Sequence, residues 1–124
     1  MAKLSARGRQ EIFRVERERD LVPVPPSTTV WRKTTIVLMS DGSTLQKEQV
    51  RFAPSEFERS VYGDKPRPHD WGWKKRGKIK AGADPKALLE QLAKQGYVVI
   101  SAPGISDFDS SYYRALAASA GRNP

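Results

Sequence analysis

Residues 28–39 read T-T-V-W-R-K-T-T-I-V-L-M, then Ser40-Asp41-Gly42-Ser43-Thr44 intervenes before residues 45–53, L-Q-K-E-Q-V-R-F-A. A run this rich in β-branched residues suits a pleated, half-buried surface, and the Ser-Asp-Gly stretch supplies turn chemistry between two such runs. A β-hairpin follows, and any fold of this chain has to be built around it. In the first strand Val30, Ile36 and Leu38 share one face and Trp31, Val37 and Met39 the other; in the second, Val50 and Phe52 oppose Lys47, Gln49 and Arg51. The first strand therefore reads as the more central one.

The segments on either side divide into recognisable pieces. Residues 3–19 suit a charged helix or arm with Ser5 as N-cap, because Glu11 with Arg14 and Arg14 with Glu18 fall at helical neighbour spacing. Pro23, Pro25 and Pro26 make residues 21–27 an extended linker. The organisation expected is thus a charged arm and Pro-rich linker over 1–27, then one α+β domain over 28–124. After the hairpin comes a long connection over 54–70, with one helical turn at 55–59 and breaks at Gly63, Pro66 and Pro68. Asp84 as N-cap, Pro85 at the first helical position and Gly96 past the end delimit a helix over about 84–95, with Leu88, Leu89, Leu92 and Ala93 as its buried stripe. Tyr97 to Ile100, Y-V-V-I, is wholly apolar and predicts an interior strand, reached by a right-handed crossover or an antiparallel return. Residues 107–120 suit a C-terminal helix buried through Phe108, Tyr112, Ala115 and Leu116 or through Tyr113 and Leu116. Together these predict a small α+β domain with a three- to four-stranded, mainly antiparallel sheet.

The net charge of +8 is not spread evenly. Residues 65–80 hold seven Lys/Arg (Lys65, Arg67, Lys74, Lys75, Arg76, Lys78, Lys80) against Asp70 alone, and residues 1–20 hold six against four. Within W-G-W-K-K-R-G-K-I-K, a strictly alternating strand would project Lys74, Arg76, Lys78 and Lys80 to one side and keep Trp71, Trp73 and Ile79 on the other. Edge protection explains some lysines on a strand, but four aligned cations with Lys75 beside them exceed that need. Phosphate is the partner such a ribbon fits, with Lys65, Arg67 and the N-terminal Lys3, Arg7 and Arg9 as further contacts. Trp71 and Trp73 are candidates for stacking on unpaired bases, or else core residues.

Catalytic chemistry has little to stand on. His69 is the single histidine, with Asp70 beside it but no supported nucleophile, and there is no cysteine. Zinc spacing, a phosphate-cradling glycine loop and a dinucleotide fingerprint are missing from the sequence, so a non-enzyme with no metal and no cofactor is expected. Asp107 and Asp109 stand before a helix, where capping is their simplest role. A helix-turn-helix reading of residues 4–9 fails because prolines and strands follow instead of a second helix. No apolar run is long enough to span a bilayer and none of signal-peptide character follows the N-terminus, so a soluble protein of a reducing cytoplasm is expected.

Met1 to Arg9 (M-A-K-L-S-A-R-G-R), Leu38-Met39-Ser40-Asp41-Gly42, Val50-Arg51-Phe52, Gly72-Trp73-Lys74 and Gly77-Lys78-Ile79-Lys80 together resemble small basic accessory proteins of bacterial plasmids and phages. The resemblance implies a bacterial cytoplasm and a partner that is DNA, RNA or a host nucleoprotein complex. Two functions are therefore expected as alternatives. One is a nucleic-acid-binding accessory or regulatory protein of a mobile element. The other is an inhibitor of a host defence complex, of the anti-CRISPR kind, using the same basic face. A homo-oligomer is compatible with either, and no membrane partner is implied.

Overall fold

Burial and ion pairing compete for residues 11–20, and burial wins. In a helix Phe13 and Val15 would point about 200° apart, whereas in a strand they share a face. Burying both contributes about 1.5–3 kcal/mol each, against roughly 0.2–0.5 kcal/mol for each helical ion pair. The computed structural model describes residues 9–80 and 82–120. In it this segment is strand β1 (Glu11–Asp20), with Phe13 and Val15 fully buried. The expected N-terminal helix is thus corrected to a sheet strand over these residues; Lys3, Ser5 and Arg7 lie outside the described residues.

The hairpin forms as expected. Strands β2 (Thr29–Met39) and β3 (Ser43–Phe52) pair antiparallel, and Gly42 takes a φ of 89° in the turn between them. The Asp41 carboxylate accepts from the Ser43 N–H at 2.9 Å and from the Ser43 hydroxyl, fixing that turn. Five strands make one sheet in the order β4-β3-β2-β1-β5, antiparallel throughout, with β4 at Arg67–Lys78 and β5 at Val98–Ser101. The sheet has one strand more than the sequence predicted, and the addition is β1. As expected, β2 is central. The Pro-rich stretch is the connection between β1 and β2, closed by the Leu21 N–H donating to the Val30 carbonyl at 2.9 Å.

Among the described residues three helices complete this small α+β domain. Helix α1 (Glu56–Tyr62) starts at a capping box in which Ser55 and Glu58 satisfy each other's backbone N–H groups, and it buries no residue. Helix α2 (Pro85–Lys94) begins as predicted, with the Asp84 carboxylate accepting from the Lys86 N–H at 3.0 Å, and buries Leu89, Leu92 and Ala93. Helix α3 (Ser110–Ala120) is capped by Asp109 and buries Tyr113, leaving Tyr112 on the outside with its hydroxyl donating to Glu90.

The main core joins Phe13, Val15, Ile36 and Leu38 of the sheet to Leu89, Leu92, Tyr97, Ile105 and Tyr113. Helix α2 packs on β1, and α3 packs on α2 and β5. The helical layer thus covers only the β5–β1–β2 half of one sheet face. Strand β5 is an edge and not an interior strand, and Val98 and Ile100 are each about half exposed. It pairs antiparallel with β1 and, four antiparallel steps away from β4, runs parallel to that strand without being its neighbour, because β1 occupies the interior position that an apolar run seemed to require.

Candidate nucleic-acid interface

Strand β4 does not alternate regularly, because two bulges interrupt it. In the first, one residue of β3 lies between Lys47 and Gln49, while two of β4, Trp71 and Gly72, lie between their partners Trp73 and Asp70. Gly72 has a φ of 77°, and its N–H donates to the Asp70 carboxylate at 2.7 Å, closing a local turn. In the second, Arg76 is the extra residue between Lys75, opposite Leu45, and Gly77, opposite Thr44. Gly77 has a φ of 154°. Each bulge shifts the side-chain parity by one residue.

The predicted row of cations is therefore split. Lys74 stands opposite Gln46 and Arg76 Nε donates to Gln46 Oε1 at 3.1 Å, which places both on the helix-bearing face, because Gln46 pairs with Ile36. Lys78 stands opposite Ser43 on the other face, and Lys80 lies beyond the strand. The tryptophans separate too. Trp73, opposite Lys47, lies on the bare face, while Trp71 follows the parity of His69 onto the helix-bearing face and is 53% exposed, so it is not the core residue that simple alternation implied.

The other predicted contacts fare differently. Arg67 is neutralised by an ion pair with Glu58 and leans on the Phe52 ring. Arg9 lies 3.9 Å from Asp41, at the hairpin turn. Lys65 is exposed in the connection before β4. None of these three lines the site that β4 does form.

That site is a groove across the uncovered half of the helix-bearing face. A trough of about 600 Å³ is lined by Arg32, Gln46, Glu48, Trp71, Lys74 and Arg76, with Lys75 on its border. A second hollow of about 220 Å³ shares Arg32, Gln46 and Glu48 and continues to Arg17, Arg19 and Tyr97. The ladder explains the grouping: Arg17 is opposite Thr34, Arg19 opposite Arg32, and Thr34 opposite Glu48. Among the described residues six cations thus border the combined groove, with Glu48 as its one carboxylate. Glu48 is itself engaged by the Thr34 hydroxyl at 3.0 Å, the Gln46 amide at 2.8 Å and Arg32 at 3.9 Å. At one end the Arg17 guanidinium stacks 4.4 Å from the centroid of the buried Tyr97 ring and donates to the Gln95 carbonyl at the end of α2, where the helix dipole favours a cation.

On the bare face three cations are paired, Arg14 with Glu11 at 2.6 Å, Lys33 with Glu16 at 3.8 Å and Lys47 with Asp70 at 3.4 Å, while Arg51, Lys75 and Lys78 have no carboxylate within ion-pair reach among the described residues. Asp70 is held below the usual carboxylate range by the Gly72 N–H and then by Lys47. Trp73 carries Arg14 and Lys47 over its ring at 5.4 and 5.3 Å. The helix-bearing groove gathers uncompensated positive charge in one trough: among the described residues Arg17, Arg19, Lys74 and Arg76 have no carboxylate within ion-pair reach, and Lys75, opposite Leu45 on the bare face, adds its unpaired charge at the border.

Arg17, Arg19 and Arg32 are the site residues that the sequence reading missed. Residues 13–19, F-R-V-E-R-E-R, alternate with period two, placing Phe13, Val15, Arg17 and Arg19 on one face and Arg14, Glu16 and Glu18 on the other. The signal was present, but helical ion-pair spacing competes with it in the same residues. No helix among the described residues is long and apolar enough to cross a membrane, and no group of three potential ligands among them could hold a metal ion. No family model, no curated protein and no solved structure matches the chain.

Proposed function

We propose that this protein binds nucleic acid through the groove between Arg19 and Arg76, as a non-enzymatic accessory or regulatory protein. The observation that carries the reading is the placement of Arg19 directly opposite Arg32 on one face, with Lys74 and Arg76 beside them. Like charges facing each other across a ladder are unfavourable for the free protein. A polyanion laid along the groove relieves that repulsion, and phosphate contacts of this type give affinity and orientation without reading sequence. The accessory role in a mobile element belongs to the same proposal and rests on the sequence resemblance.

Fluorescence anisotropy with labelled oligonucleotides between 50 and 200 mM salt tests it. Engagement of four phosphates gives a log-log salt slope of about −2.8 on a single strand or about −3.6 on a duplex. A triple Arg19→Glu, Arg32→Glu, Arg76→Glu variant is expected to lose at least about tenfold in affinity, while Lys33→Glu and Lys78→Glu on the opposite face change it little. Unaltered binding by the triple variant overturns the proposal.

A further inference from the structure

We infer that the groove takes a single strand of DNA or RNA, with Trp71 as its base-stacking platform. This rests on the proposed nucleic-acid binding and narrows it to one class of ligand. A regularly pleated strand would have put Trp71 and Trp73 on the same side. The bulge closed by Asp70 and Gly72 separates them, turning Trp71 out into the groove while Trp73 lies on the opposite face. The indole is 53% exposed, so the main core does not need it. Its position is nevertheless defined, because the His69 ring meets it edge-on at 4.3 Å and Phe52 follows His69 at 6.5 Å.

Along the same face the order is then aromatic rings followed by the cations Lys74 and Arg76, with Arg32 across the trough. Exposed rings interleaved with cations suit unpaired bases and their phosphates, since every base offers a π-face to stack and the backbone supplies the charge. In a duplex the bases are already stacked inside, and an indole on a sheet face would meet sugar and phosphate or have to unstack a base step first. The Trp71 contact is therefore usable at little cost only when the strand is unpaired.

The test compares labelled oligo-dT, oligo-rU, a hairpin duplex with the same number of phosphates, and polyglutamate at one salt concentration. Both single strands are expected to bind at least about tenfold tighter than the duplex, within the roughly 5- to 150-fold that one stacked base contributes. Trp71→Ala should erase this advantage without altering the salt dependence, and Trp71→Phe should keep most of it. Circular dichroism confirms that each exposed-site variant is folded. Equal binding of duplex and single strands, or equal losses on both with Trp71→Ala, overturns the inference; if the Arg19/Arg32/Arg76 reversal still abolishes that binding, nucleic-acid binding itself stands. Failure to bind any oligonucleotide, or polyglutamate binding as tightly as oligo-dT, overturns both.

Discussion

Arg19 and Arg32 stand directly opposite each other across the β1–β2 ladder, and the nearest compensation for the pair is Glu48 Oε1, 3.9 Å from Arg32 Nε. A carboxylate at either position would complete an ordinary cross-strand ion pair. The arrangement instead keeps two guanidinium groups side by side next to a groove with four more cations.

The first prediction is a trade between stability and binding. Arg19→Gln removes the repulsion and is expected to raise unfolding stability by a few tenths of a kcal/mol, about 0.2–0.5, at low ionic strength. The gain should vanish by 1 M salt, where the screening length is only about 3 Å. The same variant should weaken oligonucleotide binding. Urea unfolding at two salt concentrations, paired with anisotropy, measures both; a stability loss at low salt would show that Arg19 has a favourable partner instead.

The two tryptophans of β4 give a second contrast. Trp73 and Arg14 come from strands separated by β2 and β3, yet the guanidinium lies 5.4 Å from the ring centroid, so the two side chains reach toward each other across the bare face. This accounts for the full burial of Val37 on a face that bears no helix. Trp73→Ala should therefore destabilise the protein by about 2–4 kcal/mol, somewhat below or within the range for deleting a buried aromatic. Trp71→Ala should stay within about 0.5 kcal/mol, as exposed substitutions do. Equal losses in urea unfolding for the two variants would refute this division of labour.

How much of this was legible in the sequence depended on whether one local signal dominated. The β2–β3 hairpin and α2 were readable because β-branched runs, turn residues and the Asp84-Pro85 start agree with each other. Residues 11–20 were not, because Arg14 and Glu18 satisfy helical spacing while Phe13 and Val15 satisfy strand spacing, and only burial against α2 decides between them. The basic character of residues 74–76 and the shared facing of Lys74 and Arg76 were legible, but the facing of Trp71 and Lys78 was not. Alternation assumes an unbroken pleat, and Gly72 and Gly77 are where it breaks. The groove could not be read at all, since it joins β1, β2, β3 and β4 across long sequence separations.

A third prediction concerns Gly104, which closes the loop beside β1. Its N–H donates to the Ile12 carbonyl at 2.9 Å, and a Cβ placed on it would lie 2.8 Å from Ile12 Cα. Since that atom is backbone, the strand itself would have to move. Gly104→Ala is expected to cost about 1–3 kcal/mol, the range for overpacking. Adding Ile12→Ala relieves the clashes with Cδ1 and Cγ2, at 2.8 and 3.0 Å, and leaves the backbone clash in place, so a double-mutant cycle should show only partial rescue. Full rescue would place the clash in the side chain alone.

The last prediction is the pH dependence of stability. Asp41 is held below its ordinary value of 3.8 mainly by the Ser43 hydroxyl and then by the Ser43 N–H, with Arg9 and Lys78 adding attraction. Asp70 is lowered from the same 3.8 by the Gly72 N–H and then by Lys47. A carboxyl whose folded pKa lies below its unfolded value binds protons more readily in the unfolded chain. Its stabilisation is complete above the unfolded value and is lost as pH falls below about 3.8 through the lower folded pKa. Unfolding stability of the parent should therefore decline along an acid limb in that window, and Asp41→Asn or Asp70→Asn should flatten its slope. Because both groups are well exposed, the effect of each is small. Urea titrations at closely spaced pH values, with carboxyl chemical shifts followed by NMR, resolve it. Midpoints for Asp41 and Asp70 at or above 3.8 would mean that the two turns they close in the structure are not held by ionised carboxylates in solution.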